Sequence, residues 1–240
     1  MIEVRNIAFS YRSRQVLRDV SFVVSSGESV SIVGANGTGK ATLMKILATL
    51  FIPDSGSIVV DGQNALEKPL KFRRQLGYLP ERIALYDDMT VKEYLSYRAL
   101  LKGEMKKRIR RRIDEACEIS RTTHLMRTPI YRLSAGLKKR VALADALLLR
   151  PHVLLLDDFL SGLDIEMKES MGEIMTDAAA FSAVIATGHD IDDLAKWTTR
   201  FLVLSEGVIQ TSVQAVGMAP NAIREKLKDA LKKDQKEVGR

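Results

Sequence analysis

Three observations predict an α/β fold for this chain, with a helical lobe inserted between two halves of a sheet. Short apolar runs recur as strands, helical patterns alternate with them, and a long helical stretch from about residue 90 to 149 interrupts the alternation. The opening segment IEVRNIAFSY alternates apolar and polar residues, as a half-buried strand does. DVSFVV and SVSIVG follow, with Gly27 turning the chain between them. Residues 34–42, GANGTGKAT, form a Gly-rich loop, and the helix after it should carry Leu43, Ile46, Leu47 and Leu50 on one face. Pro53 and Gly56 close that unit, and SIVVDG resumes as a strand. In the long helical stretch, Ile109, Ile113, Ala116 and Cys117 recur at three- or four-residue steps, which makes Cys117 a core residue. VLLLDD after Pro151 suits a strand buried on both faces. AVIATG and RFLVLS read as two more, separated by a helix around Ile191 to Trp197. Beyond Gln210 a charged helical tail is expected, over 211–240.

Composition narrows the class. The chain is 46% hydrophobic and 28% charged over 240 residues, enough apolar material for one sizeable core without staples. A single cysteine rules out an internal disulfide. The N-terminal residues lack the basic and then apolar run of a signal peptide. The greasiest stretch, VALADALLLRPHVLLLDD, is broken by Asp145, Arg150 and Pro151 and cannot span a bilayer. A cytoplasmic protein is expected, whose membrane role would need another chain. The net charge of +7 is concentrated in KGEMKKRIRRR at 102–112 and in the tail from Ala222 to Arg240. Both read as solvated helix faces. No aromatic residue interleaves the basic run, so no nucleic acid is expected as a partner. His124 and His152 match no motif and read as structural or surface residues.

The Gly-rich loop carries the first chemistry. Gly34, Ala35, Asn36, Gly37, Thr38, Gly39 and Lys40 fit the phosphate-loop pattern G-x-x-x-x-G-K, directly after a strand and before a helix. Its glycines let successive backbone N–H groups point at phosphate oxygens. The helix beginning near Gly39 adds the positive end of its dipole, and Lys40 a point charge for the β- and γ-phosphates. The next position usually supplies a hydroxyl to Mg²⁺, but this chain has Ala41, whose methyl group cannot coordinate a metal. Thr42 follows and is expected to point toward the α-phosphate.

A later block identifies the family. LSAGLKKRVALADALLLRPHVLLLDDFLSGLD, residues 133–164, resembles the signature-to-D-loop block of ATP-binding-cassette (ABC) ATPases. With Tyr11, with Glu81 in GYLPER and with His189 in TGHD, the resemblance covers about residues 1–210. The LPE version of the mid-chain loop looks most like the ATPases of ABC-2-type exporters. The resemblance implies a P-loop NTPase fold with a central mainly parallel sheet, an N-terminal antiparallel β portion and a helical subdomain inserted at about 82–149. It also implies a role for each residue. Tyr11 would stack on adenine; Asp157, with Glu81, would hold Mg²⁺; Asp158 would polarise the attacking water; His189 would sense the γ-phosphate. Ser134 and Gly136 would reach the nucleotide of a second ATP-binding subunit, and Asp164 would couple the two sites.

Four positions depart from the commonest family pattern. Ala41 removes a metal ligand, and Ala135 replaces the first glycine of the signature pair. Asp158 replaces a glutamate and is shorter by about 1.5 Å, where a displacement of about 1 Å costs on the order of 10²-fold in rate. Glu81 replaces a glutamine, and a carboxylate is the stronger Mg²⁺ ligand. The expectation is a slow ATPase using ATP and Mg²⁺, dimeric with a like or unlike subunit, driving an integral-membrane permease from the inner face of the membrane. A hydrolysis-impaired clamp paired with a competent cassette is the alternative. Cassettes acting on ribosomes or DNA usually carry two cassettes or a long coiled coil. This chain has one cassette and no sustained heptads.

Overall fold

The computed structural model describes residues 1–237, with side chains to Ala230. Its strands form one curled ten-stranded sheet of order β5-β4-β1-β2-β10-β9-β3-β8-β7-β6. The parallel half comprises β3 (Ser29–Val33), β6 (Leu76–Leu79), β7 (Val153–Leu156), β8 (Ala183–Thr187) and β9 (Arg200–Ser205). Strands β3, β7 and β8 are buried along their whole length, as mainly apolar strands between two layers are, and the buried Ser31 hydroxyl of β3 pairs with that of Thr198 at 2.6 Å. The antiparallel half comprises β1 (Ile2–Tyr11), β2 (Arg14–Val24), β4 (Ser55–Val60) and β5 (Gln63–Asn64). It joins the rest through β10 (Val208–Gln214), which pairs with β9 and touches β2.

Helix α1 (Lys40–Leu47) follows β3, and α2 (Pro69–Arg73) precedes β6. Three helices fill the interval between β6 and β7: α3 (Val91–Leu101), α4 (Lys106–Ile119) and α5 (Ala135–Leu147). Helix α3 opens on a capping box, with Thr90 and Glu93 satisfying each other's free backbone N–H groups. Ile113, Ala116 and Cys117 of α4 are buried in the core shared with α5 and β7. Buried Asp145 ties α5 to α3: its Oδ2 accepts from Arg98 Nε at 2.8 Å and from the Tyr94 hydroxyl at 3.1 Å, its Oδ1 is ion-paired with Lys102 Nζ at 2.8 Å, and Lys102 donates to its backbone carbonyl. Helices α6 (Ile165–Ala179) and α7 (Ile191–Ala195) lie on either side of β8 in the chain, and α8 (Pro220–Glu237) closes it. Ile223 and Leu227 of α8 are buried in the same core.

Four sequence expectations change. Leu50 does not share the α1 face: the helix ends at Leu47, Thr49 turns left-handed (φ 55°), and Leu50 is 55% exposed. Strand β2 starts at Arg14 rather than Asp19, because Arg12 (φ 54°) turns the chain back and pairs residues 14–17 with β1. Beyond Gln210 the chain is still strand to Gln214, since Glu206 and Gly207, both at positive φ, fold β10 back on β9. Strand β6, read as part of a loop, pairs in parallel with β7 at the sheet edge.

Candidate functional site

The C-terminal ends of parallel strands are where a doubly wound sheet presents loops to a ligand. Here the loops after β3, β6, β7 and β8 converge on one cavity of about 460 Å³, a volume that suits a nucleotide-sized ligand. Asn36, Gly37, Gly39, Lys40, Ala41 and Thr42 line it from the Gly-rich loop and α1, and Glu81, Asp157, Asp158 and His189 line it from the other loops. Tyr11 comes from the antiparallel half.

The loop is held by its own atoms. Lys40 Nζ donates to the carbonyls of Gly34 (2.7 Å) and Ala35 (2.9 Å), and the Thr38 hydroxyl donates to Ala35 O at 3.0 Å. Gly34, Ala35 and Thr38 therefore shape the loop without lining the cavity. A side chain at Gly34 would meet the Leu204 carbonyl at 2.2 Å, so only glycine fits. Gly39 sits at φ 104° as the N-cap of α1, a conformation that favours glycine. Burial pushes the Lys40 ammonium below its usual range, against the pull of Asp158 and Asp157.

The two adjacent carboxylates have different settings. Asp157 follows β7 and is 5% exposed. Its Oδ1 accepts from the Thr187 hydroxyl at 2.6 Å, and burial pushes its pKa up, with the nearby charges of Glu81 and Asp158 acting in the same direction. Asp158 stands at φ 45°, with its N–H donating to the same Thr187 oxygen at 3.1 Å. Thr187 thus fixes both acids. Sequence reading missed it, although its place beside Gly188 and His189 was a signal. Arg14 and Val16 also line the cavity and were missed, because the start of β2 was placed too late. Among the described residues, no three His, Cys, Asp or Glu side chains form a metal-holding group.

His189 is exposed at the cavity rim and borders a second space of about 100 Å³ with Lys168 and Asp190, so it is not a core histidine. Tyr11 is 45% exposed. Its ring meets Phe9 and Phe51 edge-on, and its hydroxyl lies 3.3 Å from the hydroxyl of buried Thr42. Thr42 lines the cavity as well.

Ser134 and Gly136 are not brought to this cavity. Ser134 caps α5, its hydroxyl accepting from Leu137 N at 3.3 Å, and leaves the positive end of that helix on the surface. Asp164 caps α6, accepting from Met167 N at 2.8 Å. Ala135 lines a separate groove of about 350 Å³ with Ile83, Leu85 and Lys138. Glu81 borders both this groove and the main cavity.

The arrangement has counterparts. A family profile described as ABC transporter matches residues 17–161. The uncharacterized ABC transporter ATP-binding protein YxlF of Bacillus subtilis is 32% identical over 209 residues, covering 87% of this chain and 69% of that protein. The energy-coupling factor transporter ATP-binding protein EcfA1 of Streptococcus thermophilus is 34% identical over 220 residues, covering 88% and 79%. Among solved structures, the dimeric bacterial ABC transporter cassette MJ0796 superposes with a TM-score of 0.80 at 25% identity, covering 91% of this chain and all of that one. The profile spans more than half of the chain, and both curated relatives exceed 30% identity over most of it: the chain belongs to the ABC transporter family, as an ATP-binding cassette.

Proposed function

We propose that this chain is the ATP-binding subunit of a two-part transporter, closing as a dimer around Mg-ATP and driving a separate membrane permease. The observation that carries the reading is the position of Glu81, on the wall between the nucleotide cavity and the apolar-floored groove beside α5. A helix of the permease seated in that groove would touch the same side chain that faces the nucleotide. Among the described residues no helix is long and apolar enough to cross a membrane, so the reading places the pathway in another chain. The LPE sequence at 79–81 supports kinship with the drivers of ABC-2-type exporters.

Dimerisation is supported by the absence of the capped end of α5 from the lining of its own chain's cavity. The cavity offers lysine and backbone donors to one side of a triphosphate. Ser134 and Gly136 would supply the other side from the partner subunit. Mg²⁺ fits the donor set: Glu81, Asp157 and Asp158 all line the cavity beside Lys40, and the repulsion felt by Asp157 is one a cation relieves. Asp157 and Glu81 would hold it with phosphate and water oxygens, and bound there it would neutralise phosphate charge. Asp158 would orient the attacking water and accept its proton. His189 would donate to the γ-phosphate, Tyr11 would support the adenine, and Lys40 would release its loop carbonyls to meet the phosphates.

A clamp that scarcely turns over is the second reading, favoured by the Ala41 methyl group on the cavity wall. Mg-ATP turnover measured across protein concentration, with Asp158→Asn as the control, separates the two. Turnover that rises faster than linearly and vanishes in the variant supports the dimeric ATPase; binding without turnover supports the clamp. Ala84→Cys on the groove rim tests the permease. It should crosslink to an integral-membrane chain in native membranes, and crosslinking to soluble protein alone would overturn that part.

A further inference from the structure

The basic run at 102–112 does not behave as one solvated face. Its second half is internally paired: Arg110 with Asp114, Arg111 with Glu115, and Arg112 with Glu104 at 3.1 Å. Glu104, the acid nearest the start of α4, is turned inward on Arg112 and held below the usual carboxylate range chiefly by hydrogen bonds to the Met105 N–H and Arg112, which outweigh burial. Lys102 is half-buried and ion-paired with Asp145. Lys106 and Lys107 are exposed and form no ion pair among the described residues. Lys106, Lys107 and Arg108 occupy the first turn of α4, which holds no acid of its own, where the helix dipole disfavours cations; Glu104 acts on Arg108 but is bonded to Arg112. Arg74, at the C-terminal cap of α2, lies over the same corner, its guanidinium 2.8 Å from where a Cβ at Gly103 would stand.

Leading to that corner is an exposed apolar stripe. Tyr97, Leu100 and Leu101 follow at three- and four-residue spacing along α3, and Met105 continues them into α4. Their exposures run from 39% at Tyr97 to 59% at Leu101. Tyr86 meets Tyr97 edge-on with ring centroids 5.7 Å apart, extending the stripe toward the groove at Leu85. Large aliphatic side chains bordered by unpaired cations suit a surface that is anionic outside and apolar just beneath. Nucleic acid would offer phosphates but nothing for Leu100 and Leu101.

We propose that the α3–α4 corner of the lobe rests on the anionic phospholipid surface of the bilayer. The leucines and Met105 dip among the headgroups, and Lys106, Lys107 and Arg108 meet lipid phosphates. The inference rests on the membrane-linked role proposed above, yet the two fail separately, because bare vesicles contain no permease.

The test is flotation of the full chain with vesicles of phosphatidylcholine alone and of phosphatidylcholine mixed with phosphatidylglycerol. Binding should require the anionic lipid and weaken with salt. Lys106→Glu with Lys107→Glu should weaken it at least about twentyfold, about fivefold for each cation lost. Leu100→Ser with Leu101→Ser should weaken it while leaving the salt dependence. ATP turnover of the charge variant should match the parent, since neither lysine borders the ATP cavity. Three results would overturn the proposal: no flotation with anionic vesicles, equal flotation with neutral ones, or flotation unchanged by the charge variant. Membrane retention that needs the permease and is lost on bare vesicles would likewise overturn it, assigning the stripe to the permease instead.

Discussion

The nucleotide cavity and the exposed end of α5 are built to opposite rules. In the cavity the phosphate-facing lysine and the paired acids are held before any ligand arrives: Lys40 by two loop carbonyls, Asp157 and the Asp158 N–H by one threonine hydroxyl, and the loop itself by the close packing of Gly34 on a neighbouring strand. At the start of α5 little is held beyond one cap. A Cβ at Gly136 would meet only side-chain atoms, of Met167 at 3.1 Å and Leu163 at 3.5 Å, and Ser134 is open to solvent. A fully braced half and a bare half are what a site shared between two subunits needs. The braced half sets the chemistry in advance, and the bare half must reach the partner's ATP.

The largest effect should come from the braced side. Asp158→Asn should lower kcat by on the order of 10²–10⁴-fold, the usual worth of a positioned base, with ATP binding retained in a filter or fluorescence titration. A fall of less than about threefold would remove Asp158 from the chemistry. Lys40→Ala should weaken ATP binding by on the order of 10- to 100-fold, as expected for lost hydrogen bonds to a charged group.

Mixing tests the comparison itself. Lys40→Ala chains and Gly136→Asp chains should each be inactive and should regain turnover when mixed, because the mixed dimer keeps one intact cavity facing one intact α5. If mixing restores nothing, the two regions do not serve one site across subunits.

Thr187→Val should leave the Asp158 N–H without its partner. The expected cost is about 1–3 kcal/mol, read as a melting temperature lowered by several degrees. Its pH dependence follows from Asp157, whose raised pKa means that the folded chain holds a proton the unfolded chain has released. The ligand-free protein should therefore gain stability as pH falls from neutral through the window just above the ordinary aspartate value, and lose it as pH rises. Asp157→Asn should flatten that slope in thermal melts. The smallest effect concerns the departures: Ala41→Ser with Asp158→Glu should raise turnover several-fold, and an unchanged rate would show that Glu81 and Asp158 are already matched.

Much of the braced half was legible, because its loop contacts are local in sequence. The glycines and Lys40 stand within seven residues, and backbone geometry at that spacing admits few alternatives. Asp157 and Asp158 were legible because paired acids after a buried strand are costly without a role. Thr187 was not: its hydroxyl reaches Asp157 across 30 residues, and its place beside Gly188 and His189 marks the site without saying which group it holds. Arg14 and Val16 were hidden by a polar stretch whose strand character comes from pairing with β1 rather than from its own alternation.

The sequence by itself determined the α/β alternation with its inserted helices, the phosphate loop and the family, since each rests on spacing along the chain and on local backbone chemistry. Only the tertiary structure decided that Glu81 borders two cavities, that Ser134 and Gly136 lie away from their own chain's cavity, and that the basic run divides into a paired and an unpaired half. Those facts depend on which distant side chains arrive at the same place, and packing of the lobe against the sheet settles that.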